Sequence, residues 1–270
     1  MIEITERAEV ERILSDPASR VPPAAIAAAP VPSPLASFRA GVSRFVNGAE
    51  HDVRRTRLDA LLDGLDHAAL AADAAARTRA ATPIRDLPVA VLAHALGFAR
   101  PDALPALVEV VAAAYPFGEA ADPDEADAAV TALLEASAAL DADERVLRVQ
   151  LLVQAHAATV ALVERAVALA GSSDAMVSTR SLLESVLRDD SPVPATRRLV
   201  PGGGAPVVLR LDGPDREATA DRPARILAFG AGARACPAPH HALAIAAAIV
   251  DTLRTGRPRD EESSRDADPR

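Results

Sequence analysis

The stretch Leu227-Ala228-Phe229-Gly230-Ala231-Gly232-Ala233-Arg234-Ala235-Cys236-Pro237 holds the only cysteine of a 270-residue chain and leads into an alanine-rich helical pattern that runs to about Leu253. Glycines at 230 and 232 let a backbone turn tightly and lie close against a flat ligand, with no Cβ in the way. Such a loop can direct the Cys236 sulfur and its backbone N–H groups at one object. A solitary cysteine is ordinarily a small buried hydrophobe. The glycine spacing and the helix that follows set this one apart.

Phe229-Gly230-x-Gly232-x-Arg234-x-Cys236 resembles the proximal loop of the cytochrome P450 family, in which a cysteine thiolate is the axial ligand of haem iron. The resemblance implies haem b (iron protoporphyrin IX) as cofactor and Cys236 as the metal ligand. It also implies cofactor contacts from Phe229, Gly230 and Arg234. Ala238 stands where the family has glycine. A zinc reading of Cys236 with His240 and His241 lacks a fourth ligand.

Working outward, residues 144–170 form the longest helical pattern, with Leu151-Leu152-Val153-Gln154-Ala155-His156-Ala157-Ala158-Thr159 at its centre. This resembles the family's central helix, Ala-Gly-x-Asp/Glu-Thr, with Ala155 and Thr159 matching. His156 replaces the glycine and Ala158 the acid. The resemblance makes Thr159 a catalytic residue, with His156 a second candidate three residues earlier on the helix. Three roles are open to His156: proton donor in place of the missing acid, sixth iron ligand, or packing at a helix crossing. Leu182 to Val193 resembles the family's Glu-x-x-Arg helix, with Arg188 kept. Its glutamate position holds Ser185, and Glu184 sits one residue, about 100° of helix, out of register. Arg198 matches the arginine that binds a haem propionate, with Arg197 the alternative. Residues 202–212 read as a turn and a short strand.

Toward the N-terminus, Asn47-Gly48 is a turn signal, and His51 and Arg55 lie one helical turn apart on the pattern that follows. They match the family's His-x-x-x-Arg pair, which implies propionate binding, chemistry suited to charge-assisted hydrogen bonds. Helical patterns at 70–81, 84–96, 103–114 and 125–140 follow, and the last two are an abbreviated form of the family's pocket roof. The pocket is then open or capped by a partner. The expected architecture is mostly α with a small β element, a reduced cytochrome P450-like fold. Residues 1–40 are an N-terminal helix and a Pro/Ala-rich arm, 41–254 the haem-thiolate domain, and 255–270 a disordered charged tail.

Half of the residues are hydrophobic, enough for a sizeable core, although much of that half is alanine. Lysine is absent, so all 29 basic side chains are arginine, and the formal charge is −9. That charge disfavours nucleic acid, whose phosphates need a basic face. No apolar run of membrane-spanning length and no leader pattern stands out, so a cytoplasmic protein off the membrane is expected. One thiol excludes an internal disulfide.

Taken together, the resemblance implies a P450-like monooxygenase or related haem-dependent oxidoreductase acting on a small organic metabolite of specialised metabolism. A separate ferredoxin-type protein supplies electrons, because no flavin or nicotinamide fingerprint is present. The alternative is an inactive accessory protein that binds and stabilises a partner enzyme.

Overall fold

A computed structural model describes residues 2–24, 31–172 and 176–256. In chain order the elements are β1 (Glu3–Ile4), α1 (Arg7–Ser15), α2 (Pro34–Gly41), α3 (Ala49–Asp63), α4 (His67–Arg79), α5 (Leu87–Ala95), α6 (Pro105–Ala114), α7 (Pro123–Ala136), α8 (Arg145–Ser172), α9 (Thr179–Asp189), β2 (Ala195–Arg198), β3 (Val207–Arg210) and α10 (Pro239–Thr255). The fold is mostly α with one small sheet, as the sequence reading expects.

Local chemistry sets the helix starts. Ser33, Asp66, Asp122 and Ser178 each accept a hydrogen bond from a backbone N–H in the first turn of the following helix, and Pro34 and Pro123 occupy first positions whose N–H has no partner to lose. Within the expected segment 1–40, residues 34–40 are helical: α2 buries Leu35 and Phe38 in the main core. Its Pro34 sits at the one helical position proline favours, which a simple count of prolines does not reveal. The tail from 257 onward lies outside the described residues.

The 28-residue α8 is the axle of the structure, packed by α2, α3, α5, α6, α7, α9 and α10. It is the one helix among the described residues long and apolar enough to cross a membrane by length and composition. The sequence reading found no such run. Here its apolar surface is taken up by the surrounding helices, with Val149, Leu152 and Val163 fully buried.

The sheet has the order β1-β3-β2. β1 lies parallel to β3 (Glu3 opposite Val208), and β2 antiparallel to it (Ala195 opposite Arg210, Arg198 opposite Val207). Residues 3 and 4 are too short a run to be read as a strand from sequence. A second, smaller core forms where α1 meets this sheet, from Val10, Ile13, Leu14, Val207, Leu209, Leu211 and Leu227. Leu227, the first residue of the cysteine stretch, thus belongs to the small core, while Ala228, Phe229 and Ala238 pack against the large one.

Arg7 locks the small core. It is 2% exposed, and its guanidinium donates to the carbonyls of Leu211 (2.6 Å), Gly213 (2.7 Å) and Arg188 (3.2 Å). Arg7→Met would leave three carbonyls short of a donor. The expected loss is about 2–4 kcal/mol of stability in urea unfolding; a loss below about 0.5 kcal/mol would show that water replaces the guanidinium there.

Candidate functional site

The cysteine stretch folds as a compact turn. The N–H of Gly230 donates to Leu227 O (2.8 Å), that of Ala235 to Gly232 O (3.0 Å), and that of Cys236 to Phe229 O (2.7 Å). Gly230 and Gly232 have φ of +71° and +67°, the left-handed region that favours glycine. A Cβ on Gly232 would lie 2.7 Å from Leu14 O and 2.8 Å from Ser15 Cα. The close approach that Gly232 permits is therefore to the end of α1, not to a ligand as the sequence suggested. A Cβ on Gly230 would make only ordinary contact, at 3.7 Å from Ala235 Cα, so its backbone angle is what calls for glycine.

Two arginines anchor this turn, one from α3 and one from the turn itself. Arg55 on α3 donates to Ala235 O (2.7 Å) and pairs with Asp59 (2.8 Å). Arg234 reaches out of the turn to Val46 O (2.6 Å) and Asn47 Oδ1 (3.0 Å). Asn47 also exchanges hydrogen bonds with the backbone of Val21 (2.9 and 3.0 Å), so the Asn-Gly turn ties three segments together. Cys236 is half-buried. Burial pushes its thiol up, opposed by a backbone hydrogen bond from Ala238 and by the charge of Arg55. A thiol in this setting keeps its proton until a cation replaces it.

His51 is buried at the start of α3, with Nδ1 3.0 Å from Asp52 Oδ1. Arg198 is buried on β2, and its Nη1 donates to Thr196 Oγ1 (3.0 Å) and Arg197 O (2.9 Å). Burial pushes Arg198 down to about 10, and the charges of Arg234 and Arg44 push the same way. No carboxylate among the described residues pairs with any of these three arginines. Arg44, Arg198 and Arg234 lie outside any ion pair among the described residues, although the charge of Asp52 reaches Arg234, and such a group suits an external anion. Two carboxylates from one ligand fit that donor set, and haem carries two.

On α8, Thr159 is buried and Ala155 and Ala158 are half-exposed. His156 is buried, and its Nδ1 has no hydrogen-bond partner. Burial pushes its pKa down, and the charges that reach it are Glu109 on α6 and Asp86 just before α5. The ring therefore sits where α8 crosses α5 and α6, which favours packing among its three candidate roles.

Glu184 pairs with Arg180 on the surface (2.8 Å) and Arg188 with Asp189 (2.7 Å), so no ion pair joins Glu184 to Arg188. The zinc reading fails, since no group of three His, Cys, Asp or Glu among the described residues is placed to hold a metal. His241 is buried against His67 (ring centroids 4.3 Å apart), with Nε2 3.1 Å from Leu62 O, and His240 is exposed beside it. Two surface recesses, 240 Å³ between α6 and α7 and 460 Å³ between α8 and α9, contain none of the predicted site residues.

Sequence reasoning passed over a polar chain along the same helix. The N–H of Ser43 donates to Gln150 Oε1 (2.9 Å), Gln150 Nε2 to Gln154 Oε1 (3.1 Å), and Gln154 Nε2 to Tyr115 Oη (3.0 Å). Gln150 and Gln154 are one turn apart on an otherwise apolar helix, and that spacing was the available signal.

No protein-family profile matches the chain, and no curated protein does. Solved structures do. CYP109E1 from Bacillus megaterium in complex with testosterone is 16% identical, with 95% of this chain and 84% of that one covered and a TM-score of 0.72. P450BioI in complex with an acyl carrier protein ligated to hexadec-9Z-enoic acid is 15% identical, with 92% and 82% covered and a TM-score of 0.70. CYP154C4 from Streptomyces sp. ATCC 11861 is 20% identical, with 93% and 80% covered and a TM-score of 0.65. The chain has the cytochrome P450 fold, in a reduced form.

Arg198→Met separates stability from binding. Removing a buried cation with no acid beside it should leave the ligand-free protein as stable or more stable, by about 1–3 kcal/mol in thermal or urea unfolding. Binding of a dicarboxylate porphyrin should weaken at least tenfold in fluorescence quenching. Lower stability with unchanged porphyrin binding would show that Arg198 serves the fold.

Proposed function

We propose that this chain is a haem-thiolate oxidoreductase acting on a small organic metabolite, in the manner of a monooxygenase. The observation that carries the proposal is the group Arg44, Arg198 and Arg234, cations outside any ion pair among the described residues, beside a loop that carries the only thiol; Arg234 keeps donors besides the Nη2 spent on Val46 and Asn47. In this reading Cys236 ligates iron, and Arg198, Arg234 and His51 hold the two carboxylates. Phe229 and Gly230 line the same turn. With Nδ1 directed at Asp52, His51 has Nε2 left to face a carboxylate. Arg55, matched by the sequence to the same task, spends its donors on Ala235 O and Asp59 and acts by fixing the turn.

Bound haem with a thiolate ligand supplies one-electron and dioxygen chemistry. The chain's own part on α8 is proton handling. Thr159 Oγ1 is the group there able to hold and pass a proton, because Ala158 presents only a methyl group where a carboxyl would serve as general acid. A reaction that needs rapid proton delivery runs slowly with this helix, and one that needs none, such as dehydration or isomerisation, is unaffected. Electrons come from a ferredoxin-type protein, with peroxide an alternative source. The proposed setting is the cytoplasm and specialised metabolism.

The commitment of Arg55 and Arg234 to protein carbonyls favours a second reading: an accessory protein that keeps the fold and stabilises a partner enzyme without turnover. The spectrum of the purified protein after hemin addition, dithionite and carbon monoxide separates the two. A red-shifted thiolate-type carbonyl band that disappears in Cys236→Ala supports the oxidoreductase. Absence of any haem band in the folded wild type moves the assignment to the accessory protein.

His156→Leu should leave that spectrum unchanged and keep the protein folded, since the ring packs at a helix crossing. A changed resting spectrum would return His156 to the iron.

A further inference from the structure

Three histidines meet where α3, α4 and α10 come together. His67 is the first residue of α4, and His240 and His241 stand in the first turn of α10. His67 and His240 are exposed, while His241 is buried. The His67 ring centre lies 4.3 Å from that of His241 and 6.3 Å from that of His240. His241 Nε2 lies 3.1 Å from Leu62 O in the last turn of α3, and a carbonyl only accepts, so Nε2 carries the ring hydrogen. Nδ1 is then a bare lone pair, buried, with no hydrogen-bond partner among the described residues. A proton added there would place a charge and an N–H donor where nothing receives them.

The surroundings oppose that proton further. Burial is the largest influence pushing the His241 imidazole down, and the charges of His67 and His240 push the same way, against the Leu62 hydrogen bond and the charge of Asp63 at the end of α3. The other acid beside the cluster, Asp66, is engaged by the backbone N–H of Ala68 (2.8 Å). Both α4 and α10 begin here, and a helix N-terminus disfavours positive charge.

The position matters because α3 holds the cysteine segment twice. Arg55 donates to Ala235 O (2.7 Å) just before Cys236, and Leu62 O receives His241 beyond it. Between these holds Pro237 and Pro239 fix two backbone angles, so a displacement of the first turn of α10 carries to Cys236 instead of being absorbed in the link. The guanidinium keeps its charge at any ordinary pH, and the imidazole does not.

We propose that the three histidines form a proton-operated latch on the cysteine turn. In mild acid the first turn of α10 lifts from α3 and α4, and the turn loosens on that side while Arg55 holds the other. An opened imidazole takes up a proton near pH 6.5 and the closed His241 resists it, so the hold is complete above that pH and is lost progressively below it. A ligand on the thiol is then held firmly at neutral pH and loosely in acid. The latch goes beyond the proposed function and does not depend on bound haem.

Backbone amide exchange followed by NMR on the purified full chain, at about pH 7.5, 6.5 and 5.5 and corrected for the intrinsic rate, tests it. The Ala242 amide, which donates to Ala238 O (3.1 Å), and the Cys236 amide, which donates to Phe229 O (2.7 Å), report the two ends of the link. Protection of both should fall about tenfold across that range, the change expected when opening admits one proton, while amides at the centre of α8 keep theirs. His241→Gln retains a donor for Leu62 O and should bring the change to within about twofold. His67→Gln, at an exposed position, removes one opposing charge and should reduce the change, which decides the matter if His241→Gln does not fold. Equal loss of protection in α8 would show general acid unfolding and overturn the latch. The same pH dependence in both variants as in the wild type overturns it too. Loss at Ala242 with Cys236 still protected would overturn the link to the thiol. The exchange is read without haem, so failure here leaves the haem assignment to the carbonyl spectrum.

Discussion

What holds this structure together, beyond its apolar packing, is the arginine guanidinium bound to backbone carbonyls. Arg7 takes three at the small core, Arg39 fastens the turn after α6, Arg54 donates to Ala40 and Val42, and Arg55 and Arg234 clamp the two sides of the cysteine turn. Arg148 and Arg254 do the same for Leu96 and Val177. A buried carbonyl without a donor costs more than an average hydrogen bond gains. Irregular segments can therefore be buried only where such donors arrive. Lysine is absent, and its compact ammonium could not replace the planar five-donor fork that spans two or three carbonyls at once.

The same economy explains what is unusual at the site. Almost every arginine near the cysteine turn is engaged by a carbonyl or a carboxylate. Arg198, pressed into β2 with only neutral local acceptors, and Arg44, lying over two aromatic rings, are the ones with charge in reserve. They sit close enough to Arg234 that burial and mutual repulsion pull the Arg198 pKa down to about 10. A fold that buries cations in this way without an acid carries a stability cost, which a dianionic ligand would remove.

Much of this was legible in the sequence. The helices α3 to α10 follow from apolar spacing and caps, and the loop at Cys236 from its glycines. The mismatch at Glu184 was readable as well, since a one-residue slip on a helix moves a side chain about 100°. Three features were not legible. The strand at Glu3–Ile4 exists only because β3 is there to receive it, and two residues carry no period. Gly232 was read as clearance for a ligand, while the backbone of Leu14 occupies that clearance. The Gln150–Gln154–Tyr115 chain depends on a residue 39 positions from its partner. Each of these is a property of two segments meeting, and a single segment's pattern cannot report it.

The pairing of β1 with β3 and the three carbonyls under Arg7 also fix an order of assembly. The helical body is itself closed by distant partners, since α4 packs chiefly on α10 and α2 reaches α7 through Leu35 and Asp127. The first fifteen residues must wait for partners some 200 positions downstream, at Val208, Leu211 and Gly213. Closing so long a loop is slow and comes late. Gly232 rests on Leu14 and Ser15, so the cysteine turn takes its final shape in that last step. The turn that carries the thiol therefore takes its shape only where the two ends of the chain meet.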